Sequence, residues 1–313
     1  MLKLVMVVSG MMLALMLSGK ATAAACDRTC LYGFLDAYLA AIDARNPAKL
    51  PLAKGVRFTE NGVEMKFPDG MWNSVDGRGD YDLRFADEKE GQVGIYTVVT
   101  ENGHPSILAL RMKVVDARIT EIETIMGRYE EGRDFPSPSP QKLYVRPILH
   151  DKVPVEMRTS RAAMIAAANG YFDSLQLNDG TLHTVFDPRC DRIENGVETT
   201  NNPERAKTVS AFYALGCEQQ FKLGLYRYDD RLRARRFTLV DEERGLVLTS
   251  GFIDHIGKLL EFKLTDGTTR KTNYRTPHTY ELMELFKIIN GKIAQVEAVF
   301  ITVPYNMQSP WDK

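Results

Sequence analysis

The chain has 313 residues, 44% of them hydrophobic and 26% charged, with a formal net charge of -1. Those numbers fit a globular protein of two ordinary domains. They exclude the basic excess of a phosphate-tracking surface, so no nucleic-acid partner is expected.

Taken from the N-terminus, Lys3, the apolar run Leu4 to Leu17 and Ala21-Thr22-Ala23 have the order of a signal peptide over residues 1–25. This predicts a secreted or periplasmic protein without stable membrane insertion, because the run is too short for a span. Lipid anchoring at Cys26 is the alternative. Four cysteines remain after such cleavage: Cys26, Cys30, Cys190 and Cys217. An even count in an oxidising compartment favours disulfides, with the local pairs Cys26–Cys30 and Cys190–Cys217 preferred among three connectivities. A CxxxC alone is a weak metal signal, and no metal site is expected.

Leu31, Phe34, Leu35, Tyr38, Leu39 and Ile42 recur at helical spacing, and Asn46-Pro47 ends the run. A short element over 50–53 and a strand over 56–59 follow, closed by Asn61-Gly62. The stretch 70–91 reads as loop, with Trp72 its one large anchor. Strands are predicted over 93–100, 106–115 and 119–126. Residues 133–157 form a linker that opens with the Pro/Ser-rich RDFPSPSP. A second helix is predicted over 161–177, a short one over 182–186, and strands over 237–240, 246–254, 279–289 and 293–303.

The chain repeats itself. Val56 to Gly62 is echoed by Cys190 to Gly196, an offset of 134 residues, and Arg111 to Ile125 by Leu285 to Val299, an offset of 174. The order is kept, so a duplicated domain is expected, with units at 26–132 and 158–313. The second carries an insertion of about forty residues, placed near 205–235. Helices followed by a run of strands point to an α+β class.

Helix, short helix, strand and long antiparallel strands joined at Asp116-Ala117-Arg118-Ile119 and Asn290-Gly291-Lys292-Ile293 resemble the nuclear transport factor 2-like superfamily. Ketosteroid isomerase, scytalone dehydratase, limonene epoxide hydrolase and SnoaL-like cyclases belong to it. Arg235-Arg236-Phe237, Val240 to Gly245 and Val303-Pro304-Tyr305 resemble a secreted branch with tandem units. The resemblance implies two tandem cone-like α+β barrels, each a curved antiparallel sheet wrapped on N-terminal helices with a pocket at its open end. It also implies acid–base chemistry without a cofactor. No GxGxxG, GxxxxGK[ST], HExxH or GxSxG occurs.

Candidate residues follow from alternation and from the repeat. Arg111 lies beside alanine on a central strand, where it would orient a carbonyl or pair with Glu123. Glu123 and Glu297 occupy one position in the two copies, and burial would raise such a carboxyl toward neutrality. Asp191, Arg192 and Glu194 combine carboxylates with a guanidinium, as limonene epoxide hydrolase-like sites do from separate strands, although Glu194, like Glu60, also reads as fixing its Asn-Gly turn. His255 follows Asp254, and a histidine near a carboxylate is a candidate base or shuttle. The expected catalytic set is His255, Asp191, Arg192, Glu297 and Tyr171. The expected substrate-binding set is Tyr38, Trp72, Arg111, Glu123, Tyr226, His278 and Tyr305, with Tyr274 also available. The arginines at 231, 233, 235 and 236 read as a solvated or salt-bridged strand, with an anion or pocket site as the alternative.

The expected function is a cofactor-independent lyase, dehydratase or isomerase acting on a small apolar oxygenated molecule, aromatic or terpenoid. Aldehyde-releasing C–C cleavage is one admissible version. A non-catalytic carrier of a small hydrophobic molecule is the main rival. A third is a purely structural duplication: a monomer built as an internal pseudo-dimer, or a homodimer.

Overall fold

The structure is a computed structural model that describes residues 26–130, 139–140 and 143–312. The predicted signal peptide and most of the RDFPSPSP segment lie outside the described residues.

The first unit opens with α1 (Arg28–Asp43), capped by Asp27, whose carboxylate accepts from the Cys30 amide at 2.9 Å. Leu31, Leu35, Tyr38 and Ile42 are its buried stripe. Six strands follow: β1 (Leu52–Glu60), β2 (Val63–Met65), β3 (Val75–Asp87), β4 (Gln92–Glu101), β5 (His104–Val115) and β6 (Arg118–Arg128). They form one sheet in the order β2-β1-β6-β5-β4-β3. After the short helix α2 (Pro147–His150), the second unit repeats the plan. It has α3 (Arg161–Leu175), β7 (Phe186–Glu194), β8 (Val197–Glu198), the short helices α4 (Pro203–Thr208) and α5 (Cys217–Lys222), and β9 (Arg231–Asp241). Then come β10 (Leu246–His255), the hairpin β11 (Glu261–Lys263) and β12 (Thr269–Lys271), β13 (His278–Ile289) and β14 (Lys292–Val303). Its sheet order, β8-β7-β14-β13-β10-β9, matches the first strand for strand.

The duplication extends to register. Glu60 on β1 stands opposite Thr124 on β6, and Glu194 on β7 stands opposite Ala298 on β14, which are corresponding positions. Both of these pairings are parallel, so each sheet is mixed rather than purely antiparallel. The turns correspond as well. Asn61-Gly62 and Asn195-Gly196 both have positive φ at their two residues, the left-handed pair that a tight hairpin needs. The fold is α+β, two tandem cone-like domains.

Two local expectations are corrected. The stretch 70–91 is mostly strand. The glycines and aspartates of β3 suggest a loop, but it is an edge strand held to β4, its arginines tied outward, Arg78 to Asp43 and Arg84 to Asp36, each at 2.6 Å. Residues 182–186 form no helix. The chain crosses α3 at Gly170, where a Cβ would lie 2.2 Å from the His183 carbonyl oxygen, and the His183 amide donates to Ser174 Oγ at 2.7 Å. The extra chain of the second unit falls in two places, not one: the β8–β9 connection over 199–230, and the β10–β13 connection over 256–277, where the first unit has only a tight turn. Cys190–Cys217 ties the first of these to β7, and Cys26–Cys30 closes the start of α1.

Each sheet presents one face to its own helix and the other to its twin. Leu83, Phe85, Tyr96 and Ala109 pack against Leu248, Met283, Leu285 and Val299 in one buried cluster between the sheets. Charge is buried there too. Arg111 donates to Glu123 at 2.8 Å, and Arg236 reaches Glu123 from the other unit. Trp311 lies under the guanidinium groups of Arg57, Arg111 and Arg236.

Candidate functional site

The second cone is hollow. The cavity lies between α3, the inward faces of β7, β10, β13 and β14, and the segment 226–229. Period-2 alternation decides what enters. Tyr280, Leu282 and Glu284 point inward from β13, Ala298 and Phe300 from β14, Arg192 and Glu194 from β7. Alternation also excludes two expected catalytic residues. Asp191 falls on the other side of β7 and accepts from Asn201 Nδ2 at 2.6 Å. Glu297 faces the sheet–sheet interface, where the Tyr81 hydroxyl donates to it.

Of the expected residues, the cavity gathers Tyr171, Arg192, Tyr226, Tyr274 and His255. His278 stacks face to face on His255, with ring centroids 4.6 Å apart and planes 3° from parallel. Arg111 and Glu123 belong to the interface. Tyr38 and Trp72 belong to the first cone, where the Trp72 indole N–H donates to the Tyr38 hydroxyl at 3.2 Å. Tyr305 lies past the end of β14 and is 38% exposed. Asp254, beside His255 in sequence, faces away from the cavity and binds Arg231 and Arg233.

The carboxylate that serves His255 is Asp229. His255 Nε2 lies 2.8 Å from Asp229 Oδ1, and both side chains are buried. With Nε2–H donating to Asp229, Nδ1 keeps the lone pair, and it has no partner among the described residues. The ring is clamped between His278 and Tyr228. Burial pushes the Asp229 carboxyl up, and the bond to His255 opposes that rise.

A second polar group lies farther along β13. Glu284 is 4% exposed, and its pKa is pushed up to about 8 by burial and by the nearby charge of Glu194, while Arg192 and the Tyr171 hydroxyl bonded to it hold it back. Glu194 accepts from Arg192 Nε at 3.0 Å. Burial likewise raises the hydroxyls of Tyr171, Tyr228, Tyr274 and Tyr280, so all four stay protonated donors, and Tyr226 rises to about 12. The cavity therefore has two polar poles in an aromatic wall: Asp229–His255 at one, and Arg192, Glu194 and Glu284 at the other.

Sequence reasoning passed over Tyr228, Asp229, Tyr280 and Glu284. The repeat held the signal for the last of these. Extending the second echo back one residue sets Leu110 against Glu284, and the first echo sets Phe58 against Arg192. At both positions the first cone has a buried apolar side chain. The expected rise in pKa at the paired glutamates occurs in one copy only. Glu297 rises to about 7 through burial. Burial acts on Glu123 as well, but Arg111 and Arg236 outweigh it and hold that carboxyl below its usual range.

Among the described residues, no cluster of three or more His, Cys, Asp or Glu side chains is arranged to hold a metal ion, and no helix is long and apolar enough to cross a membrane. The two disulfides suit an oxidising compartment.

A family model described as "Domain of unknown function (DUF8021)" matches residues 157–300. Every residue lining the cavity falls within that stretch. No curated protein matches the chain. Among solved structures, a crystal structure described as that of a "putative ketosteroid isomerase from Kribbella flavida DSM 17836" is similar at 16% identity. That match covers 40% of this chain and 91% of the other, with a TM-score of 0.26. A likeness that low says nothing about chemistry.

Proposed function

We propose that the second unit is a cofactor-independent acid–base catalyst, a lyase, dehydratase or isomerase acting on a small cyclic, oxygenated molecule. One observation carries this: a buried imidazole fixed by a buried carboxylate shares an aromatic cavity with a separate buried carboxyl whose pKa is about 8. His255 is the base. Asp229 fixes its tautomer and stabilises the imidazolium formed when Nδ1 takes a proton from a C–H or O–H of the substrate. Glu284, protonated at neutral pH, is the acid, giving its proton to a carbonyl or leaving oxygen. Solvent then returns both groups to their starting states. The tyrosine walls suit a flat ring. Buried carboxyls with pKa values moved toward neutrality gather at functional sites more often than elsewhere.

The test is conversion of a panel of cyclic alcohols, enones and aromatic aldehydes by the wild type and by His255→Gln and Glu284→Gln, followed by mass and retention time. General acid–base groups of this kind contribute about 10²–10⁴-fold each. Both variants should lose rate on that scale while still binding. Ligands bound and returned unaltered by the wild type would mark a carrier. Full rates in both variants would overturn the site.

A further inference from the structure

Beyond Tyr226, Tyr228 and Tyr274 lies a second hollow, open to solvent, which shares these three rings with the first cavity as well as Arg192 and Glu194. Its outer wall is built from chain that the first unit lacks: Phe212 and Gln220 of the β8–β9 connection, and Arg270 of the β11–β12 hairpin. It is a vestibule with the cavity behind it.

Two guanidinium groups line the vestibule, and both have donors left over. Arg192 is 2% exposed; its Nε serves Glu194, it holds down the Tyr226 hydroxyl that burial raises, and its Nη1 makes no well-formed hydrogen bond among the described residues. Arg270 Nε is buried and has no hydrogen-bond partner among the described residues. The Arg270 guanidinium lies over the rings of Phe212 and Tyr228, 4.8 and 5.8 Å from their centroids, and meets no carboxylate among the described residues. Its neighbour Lys271 is bound to Glu261 at 3.4 Å. The four arginines of β9, by contrast, have acidic partners: Arg231 and Arg233 on Asp254, Arg235 on Asp173, Arg236 on Glu123. A buried donor without an acceptor costs free energy, and a planar guanidinium fork matches a carboxylate in shape and charge. Glu194 offsets the charge of Arg192, and no other carboxylate is among the described residues lining the vestibule, so the positive charge of Arg270 is not balanced there.

From this we infer that the molecule handled here is an organic acid, a ring bearing a carboxylate. The ring lies among the tyrosines of the cavity, and the carboxylate stays in the vestibule on Arg270, facing Nη1 of Arg192. This rests on the cavity being a small-molecule site, as proposed above.

The experiment is isothermal titration of the whole chain with 4-hydroxycinnamate and with its uncharged amide, for the wild type, Arg270→Gln and Arg270→Lys. A hydrogen bond to a charged group corresponds to about ten- to a hundredfold in affinity, so the acid should bind the wild type that much more tightly than the amide. Arg270→Gln should erase the preference by weakening the acid and leaving the amide unchanged, and Arg270→Lys should restore part of it. Equal affinities in the wild type, or a preference that survives Arg270→Gln, would overturn the inference while the cavity still stands. Binding of neither compound would overturn the cavity reading and this inference with it. If Arg270→Gln fails to fold, the acid-to-amide ratio of the wild type decides alone.

Discussion

The two cones share a fold, a strand order and a register, yet apolar side chains stand in the first where the second has polar groups around a cavity. In the first, Phe58, Leu110 and Tyr38 close into a continuous apolar cluster, with Trp72 and Phe67 packed against it. In the second, Arg192 stands where Phe58 does, Glu284 where Leu110 does, and the hydroxyl of Tyr171 bonds a carboxyl instead of an indole. These two exchanges, together with His255 on β10 and Asp229 on chain that the first unit lacks, separate a core from a candidate active site. The lesson is about cost. The first cone holds its sheet together, and the second gives up apolar packing for polar groups that it must bury, which is how functional sites commonly trade stability for chemistry.

Swapping the distinguishing residue should break the comparison most sharply. Leu110→Glu puts a carboxyl into a buried apolar cluster, without the Arg192 that accompanies Glu284, and should destabilise the chain by about 4 kcal/mol. The mirror exchange, Glu284→Leu, removes a buried carboxyl and should be neutral or stabilising by about 1 kcal/mol, while ending turnover. Urea denaturation reads both. Similar penalties for the two exchanges would mean that the cones do not differ as described.

The disulfides give the next contrast. Cys26–Cys30 closes a loop with a sequence separation of 4, and Cys190–Cys217 one with a separation of 27. Loop-closure entropy alone puts the loss at about 2 kcal/mol for the first and about 3 kcal/mol for the second. The paired Cys190→Ser and Cys217→Ser variant should also loosen the vestibule, because α5 carries Gln220, whose Nε2 donates to the Thr199 and Phe212 carbonyls at 2.7 and 2.9 Å. Thermal melts and ligand titration together test this. A loss of stability without any loss of binding would separate the insertion from the site.

Much of this contrast can be traced to particular residues, and its legibility was uneven. The long strands could be read because Leu246–His255, His278–Ile289 and Lys292–Val303 are continuous apolar or alternating runs ended by turn residues. Strand β3 could not, because an edge strand needs few apolar residues and its charges are satisfied by α1, far away in sequence. Arg192, Tyr171, Tyr226, Tyr274 and His255 were found by type. Asp191 and Glu297 were misplaced because a one-residue shift along a strand changes the face, and composition does not reveal the face. Asp229 was invisible. It lies in a segment without periodicity, and only the closing of the second cone brings it to His255. Asp254, the neighbour in sequence, was the natural but mistaken partner.

The finest contrast is between carboxyls inside the hollow cone and those between the sheets. Burial raises Glu284 and Glu281 to about 8 and Glu297 to about 7. A carboxyl whose folded pKa is raised binds more protons in the folded than in the unfolded state over that range. Its stabilising contribution is full below the usual carboxylate pKa of 4.5 and is lost as pH climbs to the folded value. Stability should therefore fall between about pH 5 and pH 8, by on the order of 3 kcal/mol for each carboxyl. His278, held below 6.5 mainly by burial, works the other way at the low end of that window. Lys287, lowered to about 8 mainly by burial, acts only above it. Glu284→Gln and Glu297→Gln should each flatten the slope by a similar amount in pH-dependent melts. Only Glu284→Gln should cost turnover, because Glu297 meets Tyr81 between the sheets and never faces the cavity. Equal losses of rate in the two variants would place the chemistry at the interface and leave the hollow cone without a role.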